Sequence, residues 1–254
     1  MRYNYIMKIK YLTLVALLFV CISAVGQVEK VQNKPYSDLR LFHFGVLVGT
    51  HLQDIELQNV GLQQITREDG TSYSSLVSVE QDRWDVGFQV GVLGELRLNT
   101  HLQLRVAPAM FFGTRNIRYL NVNEKNANGK SVEQLQDIKT AYVSMGTQLI
   151  YGGMRVNNHR PYLMVGLNPM LNLSGRDNDL IKLKRYDAFA EIGFGCDFYL
   201  PFFKLRPEIK FMYGLTNAID NNHINKVTAQ NMVPYTRSTR SAHTKIVALT
   251  FYFE

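Results

Sequence analysis

The sequence predicts an all-β protein, an eight-stranded antiparallel transmembrane β-barrel of up-and-down topology with a plugged polar interior. Three observations predict it. Every second residue is apolar over long segments, the connections alternate between long and short, and charges of both signs occupy the opposite strand face. Period two marks β-strand, because successive side chains point to opposite faces. The chain has 254 residues with 46% hydrophobic content, enough for one large ordered domain. Beyond the N-terminus no segment reaches transmembrane-helix length, so a closed barrel is the one route by which this chain can span a membrane.

The N-terminus reads as an export signal. Arg2, Lys8 and Lys10 precede "YLTLVALLFVCISAVG", and Ala24 and Gly26 stand at the −3 and −1 positions of a cleavage site before Gln27. Met7 is an alternative start. A lipoprotein signal on Cys21 is the weaker reading, because Val20 before it is branched. Residues 1–26 are therefore expected to be removed, leaving 25 Lys+Arg against 21 Asp+Glu, a net +4 rather than +7. Cys196 is then the one remaining cysteine, so no intrachain disulfide is expected. The modest charge and the absence of a basic patch with interleaved aromatics argue against nucleic acid as a partner.

Residues 27–40 are expected to form a short periplasmic segment before a barrel over 41–254. The first strand is Leu41–Leu52. The second, Trp84–Leu98, sets Val86, Phe88, Val90, Val92, Leu96 and Leu98 against Asp85, Gln89, Glu95 and Arg97. His101–Phe112 sets Leu102, Leu104, Val106, Met110 and Phe112 against Gln103 and Arg105. Thr140–Tyr151 and Tyr162–Leu173 repeat the pattern around Ser144, Gln148, Asn168 and Asn172. The stretch "EIGFGCDFYLPFFKLRPEIKFMYGL", Glu191 to Leu215, supplies two more strands across a Pro-Phe-Phe break, and "KIVALTFYFE" supplies the eighth. The connections 53–83, 113–139, 174–186 and 217–240 are long and polar. Those at Asn99–Thr100, "GGMRVNNHRP" and "PFFK" are short. Strict alternation of this kind is the signature of a barrel with short periplasmic turns and long outside loops. Some apolar residues of 53–83 are expected to fold over the mouth. Aromatic residues near strand ends, such as Trp84, Tyr151, Tyr186 and Phe203, suit the two membrane interfaces.

An eight-stranded lumen is wide enough only for side chains. Asp85, Glu95, Arg97, Arg105, Glu191, Asp197, Arg206, Glu208 and Lys210 are expected to fill it as an interior polar network, closing it rather than lining a pore. Pro108, Pro169 and Pro207 fit poorly, since proline cannot donate to a ladder. No catalytic residue, metal site or cofactor is expected. The six histidines, His43, His51, His101, His159, His223 and His243, show no metal spacing, and no G-x-S-x-G elbow is present. Cys196 is expected to face lipid, as a small apolar residue.

The segments "NNHRPYLMVGLNPMLNL" and "EIGFGCDFYLPFFKLRPEIKFMYGL" resemble the PorT/SprT family of the Bacteroidetes type IX secretion system. The resemblance runs from about Phe42 to the C-terminus, is densest over 157–216, and takes in the prolines of "RVAP", "GLNP" and "KLRPE". It implies an integral outer-membrane barrel, with both termini periplasmic, that is needed for export of proteins carrying a C-terminal secretion signal. It implies no enzymatic activity. The implied partners are outer-membrane lipid and other type IX components, with the barrel as anchor and not as pore. Two other functions suit the same residues: an enzyme modifying lipid A or phospholipid, with His43 or His243 at a rim, and a structural or adhesive barrel.

Overall fold

The computed structural model describes residues 31–66, 70–81, 83–125, 129, 131–174, 180–220 and 232–254. The segment 1–26 read as an export signal, including Cys21, lies outside them, as does His223. Residues 33–254 form one compact unit.

Among the described residues of that unit are, besides a 3-10 turn, ten strands and one short α-helix. They are β1 (Phe42–Asn59), β2 (Leu62–Thr66), β3 (Ser72–Gln81), β4 (Asp85–Arg97), β5 (Leu102–Lys125), β6 (Ser131–Gly152), β7 (His159–Asn172), β8 (Tyr186–Tyr199), β9 (Lys204–Gly214), the helix α1 (Val233–Thr236) and β10 (Thr239–Phe253). The sheet order is β2-β3-β5-β4-β1-β10-β9-β8-β7-β6, and β5 also pairs with β6. That last pairing closes an eight-stranded ring in which every neighbouring pair is antiparallel. β2 and β3 are a hairpin added above it, with β3 occupying the place over β4 between β1 and β5.

The alternation points as the sequence predicts. Phe44, Val46 and Val48 of β1, Val86 and Phe88 of β4, Leu163 and Val165 of β7, and Ile192 and Phe194 of β8 are all exposed. Their inward neighbours are buried, apart from half-buried glycines such as Gly45, Gly49 and Gly166. Along most ring strands the outward apolar run lasts roughly ten residues, which at the tilt of such barrels is a band about 25 Å tall. In lipid, this exposure is what the surface requires.

The strands do not stop where that band ends. β5 and β6 run far into the region read as the loop 113–139 and pair as far as Lys125 and Ser131, while β1 runs to Asn59 and pairs with β10 up to Thr239. Much of 53–83 and 113–139 is therefore sheet. Above the band the polarity of the two faces reverses: Asn116, Arg118 and Asp137 point outward, and Ile117, Tyr119 and Ile138 point inward. There they meet Ile55, Val77 and Val79 from the first connection, Leu180, Ile181 and Leu183 from the third, and Ala218, Ile219 and Tyr235 from the fourth, forming a second apolar core. This core covers the long-loop end of the lumen.

The three prolines have a structural account. Each faces outward, and each sits where one ladder lapses without losing register. β4 and β5 pair at Gly91–Ala109 and Gly94–Val106 but not at Pro108 between them. β6 and β7 skip Pro169 in the same way, and β8 and β9 skip Pro207. On its other side each proline remains in an unbroken ladder, opposite Met145, Ala188 and Phe251 respectively. The missing N–H is thus confined to one edge of each strand.

Candidate functional site: the filled lumen and its strapped mouth

The inward residues of β5 read from the short-turn end as Gln103, Arg105, Ala107, Ala109, Phe111, Gly113, Arg115 and Ile117. They give the layers of the lumen in order: charged, apolar, a buried arginine, apolar again.

The charged layer centres on two arginines with fully buried side chains. Arg105 ion-pairs with Glu95 (3.2 Å) and Glu208 (2.8 Å), and Arg206 with Glu95 (2.7 Å), Asp197 (2.6 Å) and Glu254 (2.6 Å). Tyr162 and Tyr252 donate their hydroxyls to Glu208 at 2.9 and 3.0 Å. Their rings also lie against the guanidinium groups, with Arg105 4.3 Å from the Tyr252 centroid and Arg206 5.0 Å from that of Tyr162. Lys204 bridges Glu254 and Asp197. Buried charges are costly unless paired, and each arginine here faces at least two carboxylates, although Arg105 Nη2, Arg206 Nη2 and Glu95 Oε1 have no hydrogen-bond partner among the described residues.

Of the nine residues predicted for the interior, Glu95, Arg105, Asp197, Arg206 and Glu208 meet here. Glu191 and Lys210 lie one step higher, 3.7 Å apart, with Gln148 donating to Glu191. Asp85 stands apart at the long-loop end, where its carboxylate accepts from Asn116 N–H (2.7 Å), Asn116 Nδ2 (2.6 Å) and Gln81 Nε2 (3.1 Å). Arg97 lies at the opposite mouth. The nine are one face but several clusters.

Sequence reasoning missed Glu254, Lys204, Tyr162, Tyr252 and Arg115. Extending the alternation of β10 by one residue would have found Glu254. Arg115 lay inside the stretch read as loop. It is fully buried, bonded to Gln53 Oε1 (3.2 Å) and Thr244 Oγ1 (3.1 Å).

Above the charges, Leu47, Leu93, Phe111, Met170, Phe189 and Met212 form an apolar layer across the lumen. Below them, residues 33–40 form a strap over the short-turn mouth, built around a single 3-10 turn, Ser37–Leu39. Asn33 N–H donates to Asn158 Oδ1 (2.9 Å), and Asn33 Nδ2 to Tyr199 O (2.9 Å). Asp38 accepts from the Tyr199 hydroxyl (2.6 Å) and faces Arg155 (3.7 Å) and Arg160 (3.8 Å), while Arg97 donates to its carbonyl (2.8 Å). The strap is therefore tied to three of the ring's neighbouring segments. The "VNNHRPY" turn holds it in place. Val156 bridges His159 around Asn157, whose φ of 54° an asparagine tolerates.

The two histidines considered for a rim catalytic site do not come together. His43 points into the lumen at the short-turn end, 3.6 Å from Glu254. His243 is on the outer face at the other end, stacked on Tyr213. Cys196 occupies an outward position and is half-buried. Among the described residues no group of three or more metal-ligating side chains gathers.

A family model described as "Outer membrane protein beta-barrel domain" matches residues 30–220. No curated protein matches the chain. Among solved structures, the outer membrane protein OprG from Pseudomonas aeruginosa is 13% identical, with 84% of this chain and 94% of that one covered and a TM-score of 0.40. The outer membrane protein AlkL, determined by solid-state NMR in DMPC lipid bilayers, is 14% identical, with 89% and 97% covered and a TM-score of 0.31.

Proposed function

The chain belongs to the family of outer membrane β-barrel domains, and from that premise we propose that it is a plugged membrane anchor serving protein export as an accessory component of type IX secretion. The observation that carries this reading is the filled lumen. Two apolar layers, a charged layer and a strap lie in series between the mouths, so no folded cargo passes through this barrel. What it offers to other molecules is its surface and its two ends.

The resemblance to the PorT/SprT family supports the finer assignment, and the structure gives its densest part a physical role. Asn158, Arg160, Tyr162, Tyr199, Arg206 and Glu208 all lie within 157–216. Together they build the charged layer and fasten the strap. The strapped end also exposes Tyr36, Leu39, Met154 and Phe202 beside Lys34 and Arg40, a fixed surface of mixed apolar and basic character. In this reading that end faces the periplasm and meets other secretion components there.

The test is a deletion strain, with proteins in cell-free medium compared with those held in the periplasm. Accumulation of precursor cargo in the periplasm, reversed by the wild-type gene, is the expected result. Unchanged export would overturn the secretion role and leave a structural or adhesive barrel.

A further inference from the structure

Where β7 and β8 leave the apolar band at the long-loop end lies an open cavity of about 380 Å³, with the buried Asn172 and Leu183 at its back. Leu173, Lys182, Arg185 and Asp220 are among its walls. Below it runs the band itself, with Leu173 and Tyr186 exposed. Above it Lys184 and Arg185 are exposed. On the adjoining strand, Leu173 N–H donates to Ala141 O (2.8 Å), and Lys139 lies two residues farther out on the same exposed face of β6. Among the described residues, the carboxylates nearby are Asp220, in the wall, and Asp137, two residues beyond Lys139. The basic segment is pinned by its backbone. Leu183 bridges Ile219, Lys184 N–H donates to Ala218 O (2.7 Å), and Asp220 N–H donates to Lys182 O (2.9 Å).

The same height elsewhere on the ring has other chemistry. Between β1 and β10, Lys245 is ion-paired to Glu56 (2.7 Å) with Asp54 beside them, and on β9 Tyr213 stacks on His243. Over β6–β8 the described cations Lys139, Lys182, Lys184 and Arg185 gather. The group stands at a level where the head of a lipid meets its tails.

We propose that this cavity is a binding site for a phosphorylated lipid of the outer leaflet, its phosphate held by Lys182, Lys184 and Arg185 and its acyl chains lying over Leu173 and Leu171. A soluble anion would use the cations alone. The exposed apolar wall directly beneath them, continuous with the lipid-facing band, fits an amphiphile. The inference rests on the long-loop end facing the cell exterior. The binding test below is done in detergent, so it does not depend on that orientation.

Purified full-length protein is titrated with bis-phosphorylated lipid A and followed by native mass spectrometry. Wild type should retain one lipid. Lys182→Gln/Lys184→Gln/Arg185→Gln should bind on the order of a hundredfold more weakly, because each cation near a charged lipid surface contributes about one tenfold step or somewhat less. Heat-modifiable gel migration checks that the variant is folded. Lys184→Gln alone, at an exposed position, should weaken binding about fivefold and serves if the triple variant does not fold. Unchanged affinity in a folded variant, or equal retention of fully dephosphorylated lipid A, would overturn the proposal. Displacement by millimolar inorganic phosphate would show a free-anion site instead. Equal binding of phosphatidylglycerol would sink the assignment to the outer leaflet.

Discussion

Glu208 is the residue on which the charged layer turns. It neutralises Arg105 and accepts two tyrosine hydroxyls, and its neighbours along the inward face of β9 are Arg206 and Lys210. Glu208→Lys would place a third cation among these and leave Arg105 with one carboxylate. Losing one partner of a buried pair costs about 3–5 kcal/mol, and a like charge in its place adds to that. The variant should fail to assemble, seen as loss of heat-modifiable migration and of membrane yield. Wild-type values for both would mean Glu208 does not point inward. Gly195, paired opposite Tyr162, has a narrower role. A methyl group there would lie 2.3 Å from the Tyr162 ring. Gly195→Ala should therefore lower the temperature at which the folded gel band disappears, by displacing a ring that carries a bond to Glu208. In a Tyr162→Leu background, where that ring is gone, the same change should cost much less. Equal costs in both backgrounds would show that the glycine is not there for the ring.

At the scale of elements, the eight ring strands were legible because the lipid-facing stretch obeys one rule, apolar outward and polar inward. The upper halves of β1, β5 and β6 were not, because above the membrane the rule inverts. Ile117 and Tyr119 face a core, while Asn116 and Arg118 face water. A template that expects apolar residues outward reads that inversion as loop. Arg115 disappeared from the predicted site for the same reason. Lys204 and Glu254 were within the pattern but at strand ends, where the alternation gives least warning. The prolines were visible and unexplained, since a lapse confined to one ladder is a property of strand pairs that one strand cannot show. That lapse makes a prediction. If Pro108 breaks the β4–β5 ladder only by lacking a donor, Pro108→Val should restore a hydrogen bond and stabilise the barrel by about 1 kcal/mol. Its thermal transition should rise and the β4–β5 amides should exchange more slowly. A lower transition would mean that the proline ring itself shapes the strand.

For the whole molecule, the decisive property is that closure is redundant. The strap seals the short-turn mouth, the Arg105–Arg206 layer fills the lumen behind it, Phe111, Phe189 and Met212 stand behind that, and the core around Ile117, Ile181 and Tyr235 covers the far end. A channel closed by one movable element opens when that element is removed; this one should not. Purified protein in a planar bilayer is expected to show no stable conductance steps, and a variant lacking residues 33–40 should remain closed, because the strap contributes to the mouth and not to the inner layers. Replacing Asp38 with Ala should likewise loosen the strap to proteolysis without opening the barrel, since the side chains that meet Asp38 lie outside the Glu95–Arg105–Glu208 cluster. Steady conductance in the wild-type protein would refute the closed lumen and with it the argument that function resides on the surface. Conductance in the strap deletion alone would instead make residues 33–40 a gate, and the charged layer behind them the wall of a conducting path.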